Sequence, residues 1–536
     1  MAVQGSTPGG DPRGEGSPPS VGFDVDHPAG ATLDRWIERV GEAMPSATAF
    51  VTDDGSIAYA DLHRRVRITA GGLVASGVGH GDRVAFCGLN RVELFETLFA
   101  CARLGAVLVP FNNRLTAGEL AYQIVDCTPT VVLTTDGFDG LLTEAVIAAD
   151  LVEAPAVRSL DRQPFGPDDD AVDAIEPPST GTIADPVLMV YTSGTTGRPK
   201  GAVLTQRAVA YAVANGVEHQ RIAADDVILA VLPTFHVGGI NIQTMPALAV
   251  GATVVLLLRF DPGAALDAIA RHRPTHTVFV PAVLDAVAAH ERFATTELDC
   301  LVGINSGSSV VPVASMTPYF DRGVPVGQVY GATETGPTAV VLDYDRARAH
   351  QGAAGRPARH TEIRIEVDGE PAPQGRSGEI LVRGPHLFDG YWNNPEATAE
   401  AFVDGWYRTG DVGRIDVHGL LHVHDRVRDM FITGGENVYP VEVEDVLAGH
   451  PAIAEVTVVA RTHERWGEVG VAVVVPVDVA GPELTIDGLR AWCEGRLARF
   501  KQPRELLVVD ALPRTALGKV RKHVVRAELG LDGGRS

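Results

Sequence analysis

The chain has 536 residues, of which 45% are hydrophobic and 21% are charged, an ordinary composition for a globular protein with several domain-sized units. Its 45 Lys and Arg against 68 Asp and Glu give a formal net charge of −23, which argues against nucleic acid as a partner. No apolar stretch reaches about 18 residues, so no membrane span is expected. The five cysteines are scattered without metal-type spacing, which favours a reducing, cytoplasmic setting.

The first half of the chain has an alternating pattern. Residues 1–30 are rich in Gly, Pro, Ser and Asp and contain no apolar run, which predicts a disordered leader rather than a signal peptide. Helix-like periodicity then alternates with short β-branched runs, as in "ELFETLFACARLGAVLVPFN" and in "ALAVGATVVLLLRFD", where 252–258 is a predicted strand. Repeated helix–strand units predict an α/β fold of helix-covered, mostly parallel sheets, which bind ligands at the carboxyl ends of their strands.

The pattern of predicted secondary structure changes after residue 360. Shorter strands such as "TEIRIEV" and "GEILVRG" predict a β subdomain over about 355–425, which completes an N-terminal domain of residues 31–425. A helix followed by strands then predicts a small, mobile α+β C-terminal domain over 430–536. The hinge between these domains is expected at 426–429.

Two loops rich in Gly and hydroxyl groups follow predicted strands. "YTSGTTGRPKGAVLT" (191–205) offers backbone N–H groups, hydroxyls and the cation of Lys200, a set that suits a polyphosphate. It is not a G-x-x-x-x-G-K-[ST] loop, and an ordinary turn is the alternative. "YGATETG" (330–336) supplies an aromatic ring and the carboxylate of Glu334, a group that binds Mg²⁺. The alternative for Tyr330 is a core residue.

Charged residues mark two later stretches. "GWYRTGD" (405–411) ends in Asp411, at a predicted turn after a strand, where a carboxylate binds ribose hydroxyls or merely caps the turn. "LPRTALGKVRK" (512–522) contains Lys519, for which a surface lysine is the default interpretation. It belongs to a basic segment, 496–526, which either faces an anionic small molecule or is solvated surface.

Seven stretches in this order carry a family resemblance: "YTSGTTGRPKGA", "LPTFHVGG", "NSGSSVVP", "YGATETG", "GWYRTGD", "DRVRDMFITGGENVYPVEVE" and "PRTALGK". Together, over about residues 31–526, they resemble the adenylate-forming superfamily of acyl-CoA synthetases, peptide-synthetase adenylation domains and firefly luciferase. The sequence pattern is most similar to that of bacterial aryl- and medium-chain acyl-CoA ligases. The resemblance implies an acid–thiol ligase that uses ATP and Mg²⁺ to convert a carboxylic acid into an acyl-adenylate, releases pyrophosphate, and transfers the acyl group to coenzyme A.

The resemblance also implies roles for individual residues. It assigns catalytic roles to Lys519, Glu334, Thr333 and His236. The nucleotide set comprises Thr192, Ser193, Gly194, Thr195, Thr196, Gly197 and Lys200 around the phosphates, Glu334 for Mg²⁺, Thr333 for the α-phosphate, Gly307, Ser308, Ser309, Tyr330, Gly331 and Ala332 around adenine, Asp411, Val423 and Arg426 near ribose and base, and Lys519 between the acid and the α-phosphate.

The second half-reaction is expected to use a rotated C-terminal domain. For this step the resemblance implies the hinge residue Arg428, a pantetheine tunnel lined by Gly434, Gly435 and Glu436, and a gate between the acyl pocket and the tunnel at His236. The alternative for His236 is a histidine packed in the core. The implied acyl pocket comprises Phe235, His236, Val237, Gly239, Asn241, Val280, Val283, Gly307, Gly331, Thr335 and Pro337. That lining is apolar with small residues, which suits a bulky, aromatic or apolar acid.

Two alternatives remain open at this level. Arg428 stands where the family usually has Lys or Asp, and this departure motivates the alternative of an enzyme that only adenylates and passes the acyl group to a carrier protein or partner enzyme. A non-catalytic scaffold or nucleotide-binding protein is the other, and the presence of Glu334, Asp411, Arg426 and Lys519 argues against it. A homodimer is common among relatives.

Overall fold

The computed structural model describes residues 3–4, 22–135, 137–165, 177–192, 199–308, 311–426, 431–433, 436–438, 440–463, 466–477, 484–494, 496–497, 499–515 and 518–530. The chain divides into two compact units, a larger one of residues 2–363 and 382–407 and a smaller one of residues 364–381 and 408–536. Every helix in the described ranges is too short or too polar to cross a lipid bilayer.

The chain up to residue 192 alternates strands and helices. Its elements are β1 (Val3–Gln4), α1 (Leu33–Ala43), β2 (Thr48–Thr52), β3 (Gly55–Ala58), α2 (Tyr59–Ala75), β4 (Arg83–Cys87), α3 (Val92–Leu104), β5 (Val107–Pro110), α4 (Ala117–Cys127), β6 (Val131–Thr134), α5 (Asp139–Ala149), β7 (Ala156–Ser159) and β8 (Pro186–Thr192). A short 3-10 helix, Pro28–Gly30, precedes α1.

The same alternation continues to about residue 360. The elements are β9 (Lys200–Thr205), α6 (Gln206–Gln220), β10 (Val227–Ala230), α7 (Val237–Asn241), α8 (Thr244–Val250), β11 (Thr253–Leu256), α9 (Pro262–His272), β12 (His276–Val278), α10 (Pro281–Ala288), β13 (Gly303–Gly307), α11 (Val313–Phe320), β14 (Val326–Tyr330), β15 (Val340–Leu342), α12 (Tyr344–Ala347) and β16 (Arg356–Pro357).

Shorter strands and a mixed α+β region complete the chain. They are β17 (Glu362–Val367), β18 (Glu370–Pro371), β19 (Gly378–Arg383), β20 (Gly390–Tyr391), α13 (Pro395–Ala401), β21 (Phe402–Val403), β22 (Trp406–Ile415), β23 (Leu421–Arg426), β24 (Phe431–Thr433), β25 (Glu436–Val438), α14 (Pro440–Ala448), β26 (Ile453–His463), β27 (Gly467–Pro476), α15 (Ile486–Cys493), β28 (Glu505–Val508) and α16 (Lys522–Glu528).

Two large sheets form the larger unit. One has the strand order β16-β15-β14-β13-β12-β10-β11-β2-β3 and the other β20-β9-β8-β5-β4-β6-β7. The run from β14 to β2 is parallel, as is the run from β8 to β7. The strands β5 and β6 are buried along their whole length, as expected for parallel strands that are covered by helices on both faces. The predicted α/β fold class is therefore confirmed.

Local sequence explains where these elements begin and end. Every residue of the helix α3 except Glu93 is buried, which its run of apolar side chains permits. It ends at Gly105, whose φ of 71° lies in the left-handed region that favours glycine at a helix C-terminus. The helix α4 begins with a capping box between Thr116 and Glu119. The strand β11, Thr253–Leu256, is shorter than the predicted 252–258.

The smaller unit contains a long antiparallel hairpin, β26–β27, and both further connections are made to β27: β28 pairs with its residues Val471–Val474, and β24, which also pairs with β25, pairs with it at Gly467. The helices α14 and α15 pack on this sheet through a buried cluster that includes Phe431, Leu447, Val458, Ala472 and Leu489. The predicted helix-then-strands pattern is thus present. The predicted hinge at 426–429 begins at the last residue of β23, and residues 427–430 lie outside the described ranges, so this boundary stays a prediction.

The predicted disordered leader extends too far. Residues 22–30 are anchored at two points: Phe23 is buried, with its ring centroid 4.7 Å from that of Trp36, and Pro28 is buried in the 3-10 helix. A few apolar residues among Gly and Pro are enough to anchor this segment, which composition alone does not reveal.

Candidate active site

Four neighbouring strands point their carboxyl ends at the same edge of the larger sheet. They are β10, β12, β13 and β14, which lie side by side and parallel. The segments 231–243, 279–283 and 331–337 follow β10, β12 and β14 and contain most of the predicted acyl-pocket and adenine-binding residues of this unit. Gly307 and Tyr330 are the last residues of β13 and β14, and Ser308 follows β13. This edge is where open parallel sheets bind ligands. The strand order thus explains how residues about one hundred positions apart in sequence belong to one site.

The loop after β14 is held in a compact shape. The backbone N–H of Ala332 donates to Thr335 Oγ1 at 2.8 Å, and residues Thr333–Thr335 form a 3-10 turn. A Cβ on Gly331 would lie 1.7 Å from the carbonyl oxygen of Pro337, so only glycine fits there. The peptide between Gly336 and Pro337 is cis. The loop therefore presents Thr333 and Glu334 from a fixed backbone.

The neighbouring strand end approaches closely as well. A Cβ on Gly307 would lie 2.2 Å from the carbonyl oxygen of Val329, and the next residue, Ser308, has a φ of 73°. A non-glycine residue in this left-handed region is strained, and such residues cluster at functional sites. Tyr330 lies at the end of the adjacent strand. The predicted adenine set thus occupies two adjacent strand ends, and its member Ser309 lies outside the described residues.

Glu334 is a buried carboxylate with polar neighbours. Only 7% of the residue is exposed. Its Oε1 accepts a hydrogen bond of 2.9 Å from the hydroxyl of Tyr391, and Thr192 Oγ1 lies 3.5 Å from the same oxygen. None of the described residues hydrogen-bonds its Oε2. A fixed carboxylate with one oxygen still available is the arrangement that a divalent cation needs.

The base of the Gly/Thr loop lies beside this carboxylate. The strands β8 and β9 form an antiparallel hairpin in which Thr192 and Lys200 face each other. The Nζ of Lys200 lies 5.1 Å from the ring centroid of Tyr391, within the range of a cation–π contact. The predicted phosphate-binding residues Ser193, Gly194, Thr195, Thr196 and Gly197, which lie between β8 and β9 in the sequence, are outside the described residues.

The predicted acyl-pocket residues are buried and mostly apolar. Phe235, Val237, Val280, Val283 and Asn241 are all less than 9% exposed. Asn241 Nδ2 donates to the carbonyl oxygen of Gly336 at 3.0 Å, which ties α7 to the loop of Glu334. Gly239 has no room for a Cβ, which would lie 2.3 Å from the carbonyl oxygen of Pro233.

His236 lies at the start of α7 and is partly buried. Its ring centroid is 4.6 Å from that of Phe235, and its Nε2 is buried without a partner among the described residues. Burial, assisted by the positive charge of Arg114, lowers the pKa of His236 to about 4. The imidazole is therefore neutral at physiological pH.

In the smaller unit, Asp411 and Arg426 occupy paired positions. They face each other across β22 and β23, and Val423 lies opposite Gly413 nearby. Asp411 lies inside β22 and not in a turn after a strand, so that prediction was wrong. The backbone is nevertheless turn-like there: Gly410 has a φ of 67°, and the N–H of Asp411 donates to Thr409 Oγ1 at 3.0 Å.

Lys519 is exposed on a short closed turn. The N–H of Thr515 donates to the Lys519 carbonyl oxygen at 2.7 Å, and the N–H of Lys519 donates to Thr515 Oγ1 at 3.1 Å. Arg514 fastens this turn, because it bonds the carbonyl of Gly518 and, at 2.7 Å, the carboxylate of Glu455 on β26. In the predicted tunnel, Gly434 and Gly435 lie outside the described residues, as does the side chain of Glu436.

Sequence reasoning missed two residues that organise the larger unit's site. Tyr391 reaches Glu334 because β20 pairs with β9. Asn90 holds the segment before His236, since it donates to the carbonyl of Leu232 at 3.1 Å and accepts from the N–H of Thr234 at 2.9 Å. Neither belongs to a recognised stretch, and only the long-range pairing of elements identifies them.

Comparison with known proteins agrees with this geometry. The family described as AMP-binding enzyme matches residues 37–392, and the AMP-binding enzyme C-terminal domain matches residues 442–519. The indoleacetate–CoA ligase of Aromatoleum aromaticum is 44% identical over 92% of this chain and 97% of its own. The feruloyl-CoA synthase of an Amycolatopsis species is 42% identical over 93% of this chain and 99% of its own.

Solved structures give the same result. The o-succinylbenzoate-CoA synthetase of Bacillus subtilis, in complex with its acyl-adenylate intermediate, is 30% identical, with a TM-score of 0.82 over 94% of this chain and 98% of its own. The same synthetase with ATP and magnesium ion has a TM-score of 0.80 over 91% of this chain and 98% of its own, again at 30% identity. The predicted resemblance is confirmed, and the chain belongs to the adenylate-forming family of AMP-binding enzymes.

Proposed function

We propose that this chain is an AMP-forming ligase that activates an aromatic carboxylic acid with ATP and transfers the aryl-containing acyl group to coenzyme A. Activation of an acid with ATP is the reaction that the family shares, and transfer to CoA is that of the relatives named as CoA ligases and CoA synthases. The aromatic class is supported by the names of two relatives, which act on indoleacetate and form feruloyl-CoA. The apolar, small-residue lining of the segments after β10 and β12 supports it as well.

The observation that carries the proposal is the fixed carboxylate of Glu334 beside the base of the Gly/Thr loop. We place Mg²⁺ on this carboxylate, where it would neutralise phosphate charge. Mg²⁺ commonly takes only one or two protein carboxylates and keeps waters and phosphate oxygens as its other ligands.

In the first half-reaction, a carboxylate oxygen of the acid attacks the α-phosphorus of ATP, and pyrophosphate leaves. The acid is already ionised at neutral pH, so no general base is required. Negative charge accumulates around the five-coordinate phosphorus, and fixed donors and cations lower the barrier. We assign these contacts to Thr333 and Lys519, with Thr192 and Lys200 at the departing phosphates. Asp411 would hold the ribose.

In the second half-reaction, the sulfur of CoA forms a bond to the acyl carbon and its proton is released to solvent, while AMP leaves with the oxygen that linked the acyl carbon to the phosphorus. We assign the gate between the acyl pocket and the thiol path to His236. Its lowered pKa keeps the ring uncharged, so the ring can change rotamer without moving a charge through an apolar environment. The proposed lid motion about Arg428, which brings Gly434 and Gly435 to the site, completes this step.

An isotope-exchange assay tests the proposal. Purified protein is incubated with Mg·ATP, labelled pyrophosphate and each member of a panel of aromatic, alicyclic and fatty acids, and acyl-CoA is measured in parallel after CoA addition. We expect aromatic acids to support both exchange and CoA-ester formation. Glu334→Gln retains an oxygen acceptor for Tyr391 but removes the charge, and should reduce exchange by about 100-fold or more.

Two results contradict the proposal. Exchange without any CoA ester would support the carrier-protein alternative. A clear preference for fatty acids would contradict the aromatic substrate class.

A further inference from the structure

The C-terminal half of the helix α4 contacts both strands of the hairpin β8–β9. The hydroxyl of Tyr191, near the end of β8, donates to the carboxylate of Asp126 at 2.7 Å. The hydroxyl of Tyr122 donates to the carbonyl oxygen of Pro199, directly before β9, at 3.1 Å. One helix therefore holds the chain where β8 ends and where β9 begins.

The same helix end holds the neighbouring strand β20. The indole Nε1 of Trp392, the residue after β20, donates to the backbone carbonyl of Asp126 at 3.1 Å. The backbone N–H of Trp392 donates to the carbonyl oxygen of Gly201 on β9 at 2.8 Å. Asp126 is thus bonded to β8 through its carboxylate and to the end of β20 through its backbone.

Asp126 occupies an unfavourable position for an acid. It lies in the last turn of α4, where the partial negative charge of the helix dipole repels a carboxylate. Arg83 supplies positive charge there, because its guanidinium donates to the carbonyl oxygens of Cys127 and Thr128 at 2.7 Å each. The carboxylate itself does not stabilise the helix, so its bond to Tyr191 is the interaction that accounts for it.

Strand geometry links this helix end to Glu334, because side chains on a strand alternate between its two faces. On β8, Tyr191 contacts α4, and the Oγ1 of the next residue, Thr192, lies 3.5 Å from Glu334 Oε1. At the end of β20, Trp392 contacts α4, and the preceding Tyr391 donates to Glu334 Oε1 at 2.9 Å. On both strands, the residue that faces the carboxylate is the direct neighbour of a residue held by the helix.

We propose that Asp126, Tyr191 and Trp392 are positioning residues for the phosphates of ATP. They fix the two side chains that contact Glu334, and so set the affinity for the phosphates that leave as pyrophosphate. This inference rests on the proposed function, which places Mg²⁺ and those phosphates at Glu334. Groups that bind a ligand keep their geometry only when packing and hydrogen bonds from a second layer of residues hold them.

Isothermal titration calorimetry of the full chain, without acid, tests the inference with two ligands. Mg·ATP carries the β- and γ-phosphates, and AMP lacks them. Tyr191→Phe removes the bond to the Asp126 carboxylate and should raise the Kd for Mg·ATP by about 10-fold. Trp392→Phe removes a bond to a neutral carbonyl and should raise it by about fivefold. Both variants should bind AMP within about twofold of the wild type, because neither changes the contacts to the nucleoside.

Two substitutions at position 126 separate the hydrogen bond from the charge. Asp126→Asn keeps an oxygen acceptor for Tyr191 and should bind Mg·ATP within about threefold of the wild type, whereas Asp126→Ala should lose about as much affinity as Tyr191→Phe. Tyr59→Phe is the matched control, because it removes a hydroxyl that donates to the Ala252 carbonyl oxygen at 2.6 Å in the core. It should bind both ligands as the wild type does, and melting temperatures show that each variant is folded.

The inference is overturned if Tyr191→Phe keeps the wild-type Kd for Mg·ATP. It is also overturned if Tyr191→Phe and Trp392→Phe weaken the binding of Mg·ATP and of AMP equally, because the helix end then supports the fold and not the phosphate contacts. Failure of the proposed function is a separate outcome, recognised when the wild type binds neither ligand, and it needs no variant.

Discussion

The hydroxyl of Tyr391 is expected to position Glu334, and Tyr391→Phe removes only that hydroxyl. The bond to Oε1 is 2.9 Å long and joins a neutral donor to a carboxylate. Hydrogen bonds to charged groups contribute about 1.5–3 kcal/mol. The ring that faces Lys200 is kept in this variant. The substitution therefore tests one bond and leaves the rest of the site in place.

We expect Tyr391→Phe to lower kcat/KM for Mg·ATP in pyrophosphate exchange by about 10- to 150-fold, which is that free energy expressed as a rate ratio. The loss should be coupled to Glu334. In a double-mutant cycle, Tyr391→Phe in a Glu334→Gln background should cost much less than in the wild type. Melting temperatures of all variants check that the fold is retained.

Tyr319→Phe provides the control, since the hydroxyl of Tyr319 donates to the carbonyl of Leu284 at 2.8 Å within the core. It should lower stability by about 1 kcal/mol and leave the kinetics for Mg·ATP unchanged. If Tyr391→Phe keeps kcat/KM within twofold of the wild type, or if its effect adds to that of Glu334→Gln, Tyr391 does not position the carboxylate.

Three further predictions follow from single residues. Burial lowers the pKa of His386 to about 4, below the ordinary 6.5, so the free energy of unfolding decreases as the pH falls from about 6.5 towards 4, by up to about 2 kcal/mol at pH 5. Between pH 7 and 5 the melting temperature of His386→Gln should therefore fall less than that of the wild type, and an equal fall in both proteins would contradict this prediction. Gly331→Ala should abolish adenylation and leave the circular dichroism spectrum unchanged, because the new Cβ would overlap the Pro337 carbonyl oxygen. Gly118→Ala, with open space around the new Cβ, is the control and should keep full activity, and an active Gly331→Ala enzyme would show that the loop can relax. Lys519→Ala should slow adenylation by about 100-fold or more and leave unchanged the rate at which the enzyme converts supplied acyl-adenylate to the thioester. Full pyrophosphate exchange in this variant would show that Lys519 does not stabilise the charge at the α-phosphorus.

Much of the fold and of the reaction could be predicted from the sequence because its signals are local. Apolar runs followed by Gly-rich loops predict parallel strands with a ligand edge, and β8 and β14 have this form. The seven ordered stretches identified the family. The role of Glu334 as a positioned carboxylate is supported by its contacts, although its metal stays a proposal.

The rest depends on pairings between distant elements. Tyr391 is 57 residues from Glu334 in sequence, and no local pattern indicates that β20 joins the edge of the hairpin β8–β9. The orientation of the Gln243 amide depends on Gln220 and Asn305, from two other elements. The place of Asp411 inside β22 was missed because Gly410 produces a turn-like sequence within a strand. These features are properties of the assembled sheets.

Oxygen transfer tests the central claim most directly. The preferred acid is labelled with ¹⁸O in its carboxylate and incubated with the protein, Mg·ATP and CoA, and the products are analysed by mass spectrometry. If an acyl-adenylate forms and CoA then attacks its acyl carbon, the label appears in AMP, in proportion to the acyl-CoA produced, and pyrophosphate is unlabelled. Label in pyrophosphate or inorganic phosphate, or unlabelled AMP alongside acyl-CoA, would contradict activation through the α-phosphate.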